Sequence, residues 1–330
     1  MEKTAIKGIP YGVANFEQVR SENRYYVDKT MYLPLLEEAS NYLFLIRPRR
    51  FGKSVFVSMM DAYYDIAKAD RFDTLFDGLW IQEHPTPLKN AFQMIYFDFS
   101  IVSASQGKLE KSFNDYCGIV MDGFIKRYSE YYDPNTVSKV LASDDTGYKM
   151  KLVNDEAHAK GYPLYLIIDE YDNFTNVILS EGGKEVFRNL THASGFYREY
   201  FKLFKAMFSR VFLIGVSPVT LDDLSSGYNI DWNISQDPDF NYMLGFSESD
   251  VREMFLYYKG VGKLRPDADI DAMLTEMKPW YNNYCFAEEC MDEERLYNCD
   301  MVLYYLRHQI RLGRSPKEMV DKNIRTDYKK

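Results

Sequence analysis

Gly52-Lys53-Ser54 closes an eight-residue stretch, Arg47-Pro48-Arg49-Arg50-Phe51-Gly52-Lys53-Ser54. These residue types suit a bound polyphosphate. A glycine lets the backbone approach an anion closely, a lysine ammonium reaches the outer phosphates, and an adjacent hydroxyl offers a ligand to Mg²⁺. The usual spacing for this chemistry is Gly-x-x-x-x-Gly-Lys-Ser/Thr, and here Arg47 stands in place of the first glycine. Arg47, Arg49 and Arg50 add positive charge to the same stretch. A basic turn with a chance Gly-Lys-Ser is the alternative, because the tripeptide alone is weak evidence.

A second set of residues answers the first. Asp169-Glu170 follows the apolar run Leu164-Tyr165-Leu166-Ile167-Ile168. A carboxylate at the end of a strand can hold the Mg²⁺ shell, and a second one beside it can orient an attacking water. Asp169 takes the first role and Glu170 the second, with Asp172 next in line for Glu170's task. An acidic turn after an ordinary strand is the competing explanation. What favours chemistry is order: the basic Gly-Lys-Ser stretch, then another strand, then this one. A third, softer feature is the run at 211–216, which ends at Ser217-Pro218 with Thr220 close by. Ser217 suits a polar sensor of the outermost phosphate, with Thr220 second, and a plain strand end is the alternative.

These residues need elements to hold them. Residues 41–46 form a short apolar run, too short for a helix and ended by Arg47-Pro48, so they read as a buried strand. Residues 54–64 follow with Val55, Met59 and Met60 on one helical face. Residues 93–99 form another strand, 108–131 a long helix, 164–168 a third strand, 184–208 a largely helical stretch, and 211–216 a fourth strand. Near-continuous apolar strands alternating with helices predict a parallel sheet covered on both faces. The expected fold is α/β: a P-loop three-layer sandwich, followed by a smaller helical lid-like domain. Residues 225–239 are rich in Gly, Asn, Ser and Asp and read as a long loop. Ser247-Glu248-Ser249-Asp250 then opens a helix in a capping-box pattern, and only helices and loops are expected after it. The boundary is placed near Gly245, giving residues 1–245 to the sandwich and 246–330 to the helical part.

Bulk properties narrow the classes. The chain has 330 residues, 46% hydrophobic and 27% charged, with a net charge of −9. Such a chain is folded, and its acidity excludes a general nucleic-acid binder, which needs a positive surface. No apolar run reaches the length of a membrane span, and the N-terminus lacks the apolar core of a signal peptide, so a cytoplasmic protein without a membrane partner is expected. Cys285, Cys290 and Cys299 are badly spaced for zinc, and buried or free thiols are the better reading. Pro266-Asp267 followed by Glu276-Met277-Lys278 spells nuclease letters. Yet Ile270, Met273, Leu274 and Met277 recur at helical spacing, which places Glu276 and Lys278 on different sides of a helix. Arg252 and Arg210 are candidates for reaching a phosphate, with a salt-bridged or solvated role the stronger expectation for each.

The blocks Tyr26-Val27-Asp28-Lys29-Thr30, Arg47 to Ser54, Ile168-Asp169-Glu170-Tyr171-Asp172 and Gly215-Val216-Ser217-Pro218 together resemble the AAA-ATPase-like family of bacterial proteins. The likeness extends to Trp280-Tyr281 and Tyr297-Asn298. In that family the loop typically begins with arginine, so the missing glycine is a family trait. The resemblance implies ATP and Mg²⁺ as ligands. Arg50, Phe51, Gly52, Lys53, Ser54, Val55 and Ser217 would bind nucleotide, Ser54 and Asp169 would hold the metal, and Lys53 and Glu170 would be catalytic. It also implies that the strand before Ser217 lies between the strand before the loop and the strand ending at Asp169. Members usually carry a further C-terminal domain resembling PD-(D/E)xK nucleases. This chain is expected to stop before it, so nucleic acid would enter only through that missing part. Two functions follow: ATP hydrolysis, or a nucleotide-gated switch with little turnover that controls a partner or a nuclease-like effector. An oligomer is compatible with both.

Overall fold

The computed structural model describes residues 5–102, 109–173, 196–217 and 232–321. Contacts divide the chain into two compact units, each discontinuous in sequence. One comprises Leu33–Pro48 and Met60–Ile234; the other comprises Met1–Tyr32, Arg49–Met59 and Ser235–Lys330.

The first unit is built on a five-stranded sheet: β1 (Tyr42–Ile46), β2 (Gln93–Asp98), β3 (Leu164–Asp169), β4 (Arg210–Gly215) and β5 (Trp232–Asn233). Their spatial order is β2-β3-β4-β1-β5, and every pairing is parallel. Parallel strands must be covered on both faces, which is why these are written in contiguous apolar residues rather than alternation. Every residue of β3 is buried. The core joins Phe44, Leu166, Ile168 and Leu213 of the sheet to apolar side chains of three helices. Phe113, Met121 and Ile125 come from Leu109–Arg127, Met150 and Val153 from Thr146–Lys160, and Phe201 and Phe204 from Phe196–Met207.

The strand order puts β4 between β1 and β3, as the resemblance implied. Register then fixes where the strands end. Ile46 lies opposite Gly215, Asp169 opposite Ile214, and Asp98 opposite Asp169. The C-terminal ends of β1 to β4 are therefore level to within a residue, along the edge where open α/β sheets place their chemistry.

The second unit contains the helices α1 (Glu248–Gly260), α2 (Ile270–Tyr281) and α3 (Cys299–Leu312), with a small antiparallel pair, β6 (Asn282–Tyr284) and β7 (Leu296–Tyr297). Val251, Phe255, Leu274, Met277, Val302 and Leu306 form its core. Ser247 and Asp250 close a full capping box on α1. The Asp250 carboxylate also pairs with Lys29 at 2.8 Å, and Asp28 accepts bonds from the N–H and hydroxyl of Thr30. Tyr25 packs on Tyr257 and Tyr258. Lys29 of the Tyr-Val-Asp-Lys-Thr block thus reaches the cap of α1.

Two expectations are corrected. The stretch read as a loop over 225–239 contains β5, which pairs Leu43 with Trp232 and Phe44 with Asn233. The region after 246, read as helices and loops only, contains β6 and β7. All three strands are two or three residues long, too short to leave an alternating pattern. The helix expected over 108–131 is a helix, Leu109–Arg127, closed by a 3-10 turn at Ser129–Tyr131. Of the helical stretch expected over 184–208, Phe196–Met207 is a helix, and 184–195 lie outside the described residues.

Candidate functional site

The stretch that carries Gly-Lys-Ser leaves β1 through Arg47. Its N–H continues the ladder to the Gly215 carbonyl at 3.0 Å, and its guanidinium donates to the Ile46 carbonyl at 2.8 Å. The side chain is fully buried, and that burial lowers its pKa to about 9, which leaves it cationic at neutral pH. Arg47 serves as a buried strand end, whereas the first glycine of the usual pattern serves a tight turn.

Within the second unit, Arg50 and Gly52 both have left-handed backbones, φ 66° and 87°. For Gly52 this is what glycine is for: an added Cβ would meet nothing closer than the Cys299 sulfur at 3.8 Å, so backbone conformation and not space excludes other residues. For Arg50 the conformation is uncommon and is imposed by its surroundings. A helix, Lys53–Tyr64, begins directly after Gly52, so the positive end of a helix dipole lies at Lys53 and Ser54. Lys53 is 5% exposed. The Val55 carbonyl accepts the Ser58 hydroxyl.

The loop is gripped by the rest of its unit. Phe51 is fully buried, its ring edge-on to Tyr284 at 4.6 Å and Phe286 at 5.6 Å. The Arg49 carbonyl accepts a bond from Asn298 Nδ2 at 3.3 Å, and the Phe51 carbonyl accepts one from the Gly245 N–H at 3.2 Å. The Arg50 guanidinium pairs with Asp300 at 2.7 Å. Gly245 itself has φ 90°, and a Cβ there would come within 2.9 Å of the Phe51 ring.

The carboxylates stand at the sheet edge of the first unit. Asp169 ends β3 and is 2% exposed. One of its oxygens accepts the Tyr96 hydroxyl at 3.0 Å, and the other accepts the Glu170 N–H at 2.9 Å. Burial, with the nearby Asp169 and Asp98 carboxylates, raises the Tyr96 pKa far above the usual phenol range, so Tyr96 remains a donor. Glu170 follows with a left-handed backbone, φ 52°.

Asp172 has a different task. It is 1% exposed, and its two oxygens accept the N–H groups of Val216 at 3.1 Å and Ser217 at 2.7 Å. The Tyr171 hydroxyl donates to the Ser217 carbonyl, and its ring packs edge-on against Phe44. A Cβ on Gly215 would lie 2.2 Å from the Tyr171 ring and 2.4 Å from an Asp172 oxygen. The Ile-Asp-Glu-Tyr-Asp block and Gly215-Val216-Ser217 are thus two sides of one joint, which places Ser217 just after the end of β4. Thr220 lies outside the described residues.

Other sequence candidates have structural partners. Arg252 pairs with Asp271 at 2.7 Å and Glu248 at 3.5 Å, and Arg210 donates to the Glu37 carbonyl. Glu276, on α2, accepts the hydroxyls of Tyr305 and Ser315, each at 2.6 Å, and Lys278 pairs with Glu248. Of the nuclease-like letters, Glu276-Met277-Lys278 therefore lie on a helix, and Pro266-Asp267 lie in the turn before it. The four cysteines are free thiols, with Cys117, Cys290 and Cys299 buried. Among the described residues no helix is long and apolar enough to cross a membrane.

Tyr96, Gly245, Asn298 and Asp300 were not singled out by motif reasoning as site residues. Their only sequence signal is position: Tyr96 lies two residues before the end of a strand, and Asn298 directly precedes a helix.

The parallel order β2-β3-β4-β1-β5, a Gly-Lys-Ser turn after β1 and an acidic pair closing β3 are compatible with the P-loop-like α/β class of nucleotide-binding proteins. The chain belongs to the AAA-ATPase-like family, described as "Predicted AAA-ATPase", whose model matches residues 10–225. It is also similar to a protein of Azotobacter chroococcum mcd 1, the "uncharacterized protein in vnfD 5'region": 26% identity over 320 residues, covering 92% of this chain and 53% of that protein. The chain thus spans about half the length of this relative.

Proposed function

We propose that the chain binds ATP with Mg²⁺ and hydrolyses it. The observation that carries this reading is the register of the sheet. It sets the end of the loop-bearing strand and the end of the Asp169 strand level, one strand apart, with Ser217 following the strand between them. The residues suit the ligands. A glycine in a left-handed turn, a buried lysine and a helix N-terminus suit a polyphosphate. A serine hydroxyl and a strand-end carboxylate are oxygen donors of the kind Mg²⁺ takes.

In this reading the loop amides from Arg50 to Val55 and the Lys53 ammonium neutralise the phosphates. Ser54 and Asp169 hold Mg²⁺, which supplies charge neutralisation at the transferred group. Glu170 accepts a hydrogen bond from the attacking water and orients it, and Ser217 contacts the outermost phosphate. Residues 246–330 act as a lid-like part. The protein works in the cytoplasm, without a membrane partner.

Steady-state phosphate release from Mg-ATP by the purified chain tests the reading. Release that stops when Mg²⁺ is chelated and when Glu170 is replaced by Gln supports it; release indifferent to both contradicts it.

A second reading, a nucleotide-gated switch with little turnover, draws on one specific observation: the loop is bonded at three successive residues, Arg49, Arg50 and Phe51, to the C-terminal segment. Measuring release with and without DNA separates the two. Stimulated turnover indicates a working ATPase, and near-zero turnover with intact binding indicates the switch.

A further inference from the structure

A phosphate-binding loop works when several peptide N–H groups converge on one side, and its carbonyls must then find partners on the other. Two such carbonyls are accounted for here. The Arg49 carbonyl is held by Asn298 Nδ2 and the Phe51 carbonyl by the Gly245 N–H. Both donors lie on one surface, because Phe246 and Tyr297 exchange backbone hydrogen bonds at 3.1 and 2.7 Å and so set Gly245 beside Asn298.

A trans peptide is planar, with its C=O and the following N–H pointing in opposite directions. With the carbonyls of 49 and 51 drawn to that surface, the N–H groups of Arg50 and Gly52 both point away from it. Arg50 and Gly52 are the two residues whose backbones are left-handed, the alternation from which anion-binding nests are built. The Arg50–Asp300 pair adds a third tie: it holds the side chain toward α3 while the Arg50 N–H points the other way.

We propose that Asn298, Gly245 and Asp300 are positioning residues, which aim the loop's peptide N–H groups at the phosphates so that the C-terminal segment sets nucleotide affinity. This rests on the Mg-ATP reading above. It extends that reading from the loop's own residues to the segment that shapes them.

Asn298 also caps α3, its side-chain oxygen accepting the Met301 N–H at 3.3 Å. The test must therefore separate the donor from the cap. Asp and Ser cap helices about as well as Asn; Asp has no donor, and the Ser hydroxyl is one bond shorter than Nδ2, whose bond is already 3.3 Å, so N298D and N298S keep α3 and lose the bond to Arg49. D300N removes the ion pair at constant shape, and D300E restores the carboxylate.

Calorimetric titration of the full chain with Mg-ATP, alongside thermal melting, reads the outcome. N298D, N298S and D300N are expected to bind at least about threefold more weakly, the scale of one hydrogen bond lost, with D300E close to wild type. Melting temperatures should stay within about 2 °C. Wild-type binding with unchanged affinity in all three variants overturns the inference alone. So does weakening that merely tracks a falling melting temperature. If the wild-type chain does not bind Mg-ATP, the functional reading fails and the inference fails with it.

Discussion

At the scale of single residues, the three carboxylates at and just after the end of β3 are distinguished by their partners. Asp172 accepts the backbone N–H groups of Val216 and Ser217 with its two oxygens, so it acts as a strut between the residues that follow β3 and β4. Asp172→Asn should cost about 1.5–3 kcal/mol of stability, since an amide offers one acceptor where two buried N–H groups need one each; denaturant unfolding measures this. Glu170 carries the catalytic assignment. Glu170→Gln keeps size and backbone preference and loses only the charge, so Mg-ATP should still bind while phosphate release slows at least about tenfold, a barrier rise of roughly 1.4 kcal/mol. Release at the wild-type rate would remove Glu170 from the mechanism. Tyr96 tests Asp169 indirectly. Tyr96→Phe deletes the hydroxyl that orients Asp169 and should raise the Mg²⁺ concentration needed for half-maximal ATP binding by about tenfold. No change would mean that Asp169 does not hold the metal.

At the scale of elements, the joint between β3 and β4 makes a sharp prediction. Gly215→Ala drives a Cβ into the Tyr171 ring and should destabilise the protein by about 1–3 kcal/mol, the cost of overpacking. A melting curve identical to wild type would contradict the packing described here. This joint also marks the limit of what the sequence discloses. β1 to β4 are legible because each is a contiguous apolar run ended by a charged or small residue, as parallel strands must be. β5, β6 and β7 are not, because two or three residues carry no period, and their pairing is decided by partners distant in the chain. The loop and the acidic pair are legible because their chemistry demands particular residue types. The residues that grip the loop are not. Asn298 and Asp300 meet Arg49 and Arg50 across about 250 positions, and an asparagine before a helix reads simply as a cap, which it also is. Asp172 illustrates the same limit: next to Asp169 and Glu170 it looks like a spare catalytic acid, and only its two bonds to the backbone after β4 reveal a strut.

At the scale of the whole molecule, the loop residues group by contact with the C-terminal segment, while Asp169, Glu170 and Ser217 belong to the sheet-bearing unit. The chain also spans 53% of its Azotobacter relative, so what that longer protein does is a separate matter from what this polypeptide binds. The Glu276 and Lys278 of its nuclease-like letters sit on α2, where Glu276 is bonded to Tyr305 and Ser315. Incubated with plasmid or single-stranded DNA, Mg²⁺ or Mn²⁺ and ATP, this polypeptide should leave DNA intact, and nicking lost in Glu276→Ala would overturn that assignment. The central claim is narrower: the Gly-Lys-Ser loop after β1 is a nucleotide site. Calorimetric titration of wild type and Lys53→Ala with Mg-ATP tests it most directly. The account predicts saturable binding by wild type and loss of most of that affinity in a Lys53→Ala protein that melts as wild type does; equal affinities in the two proteins would contradict it.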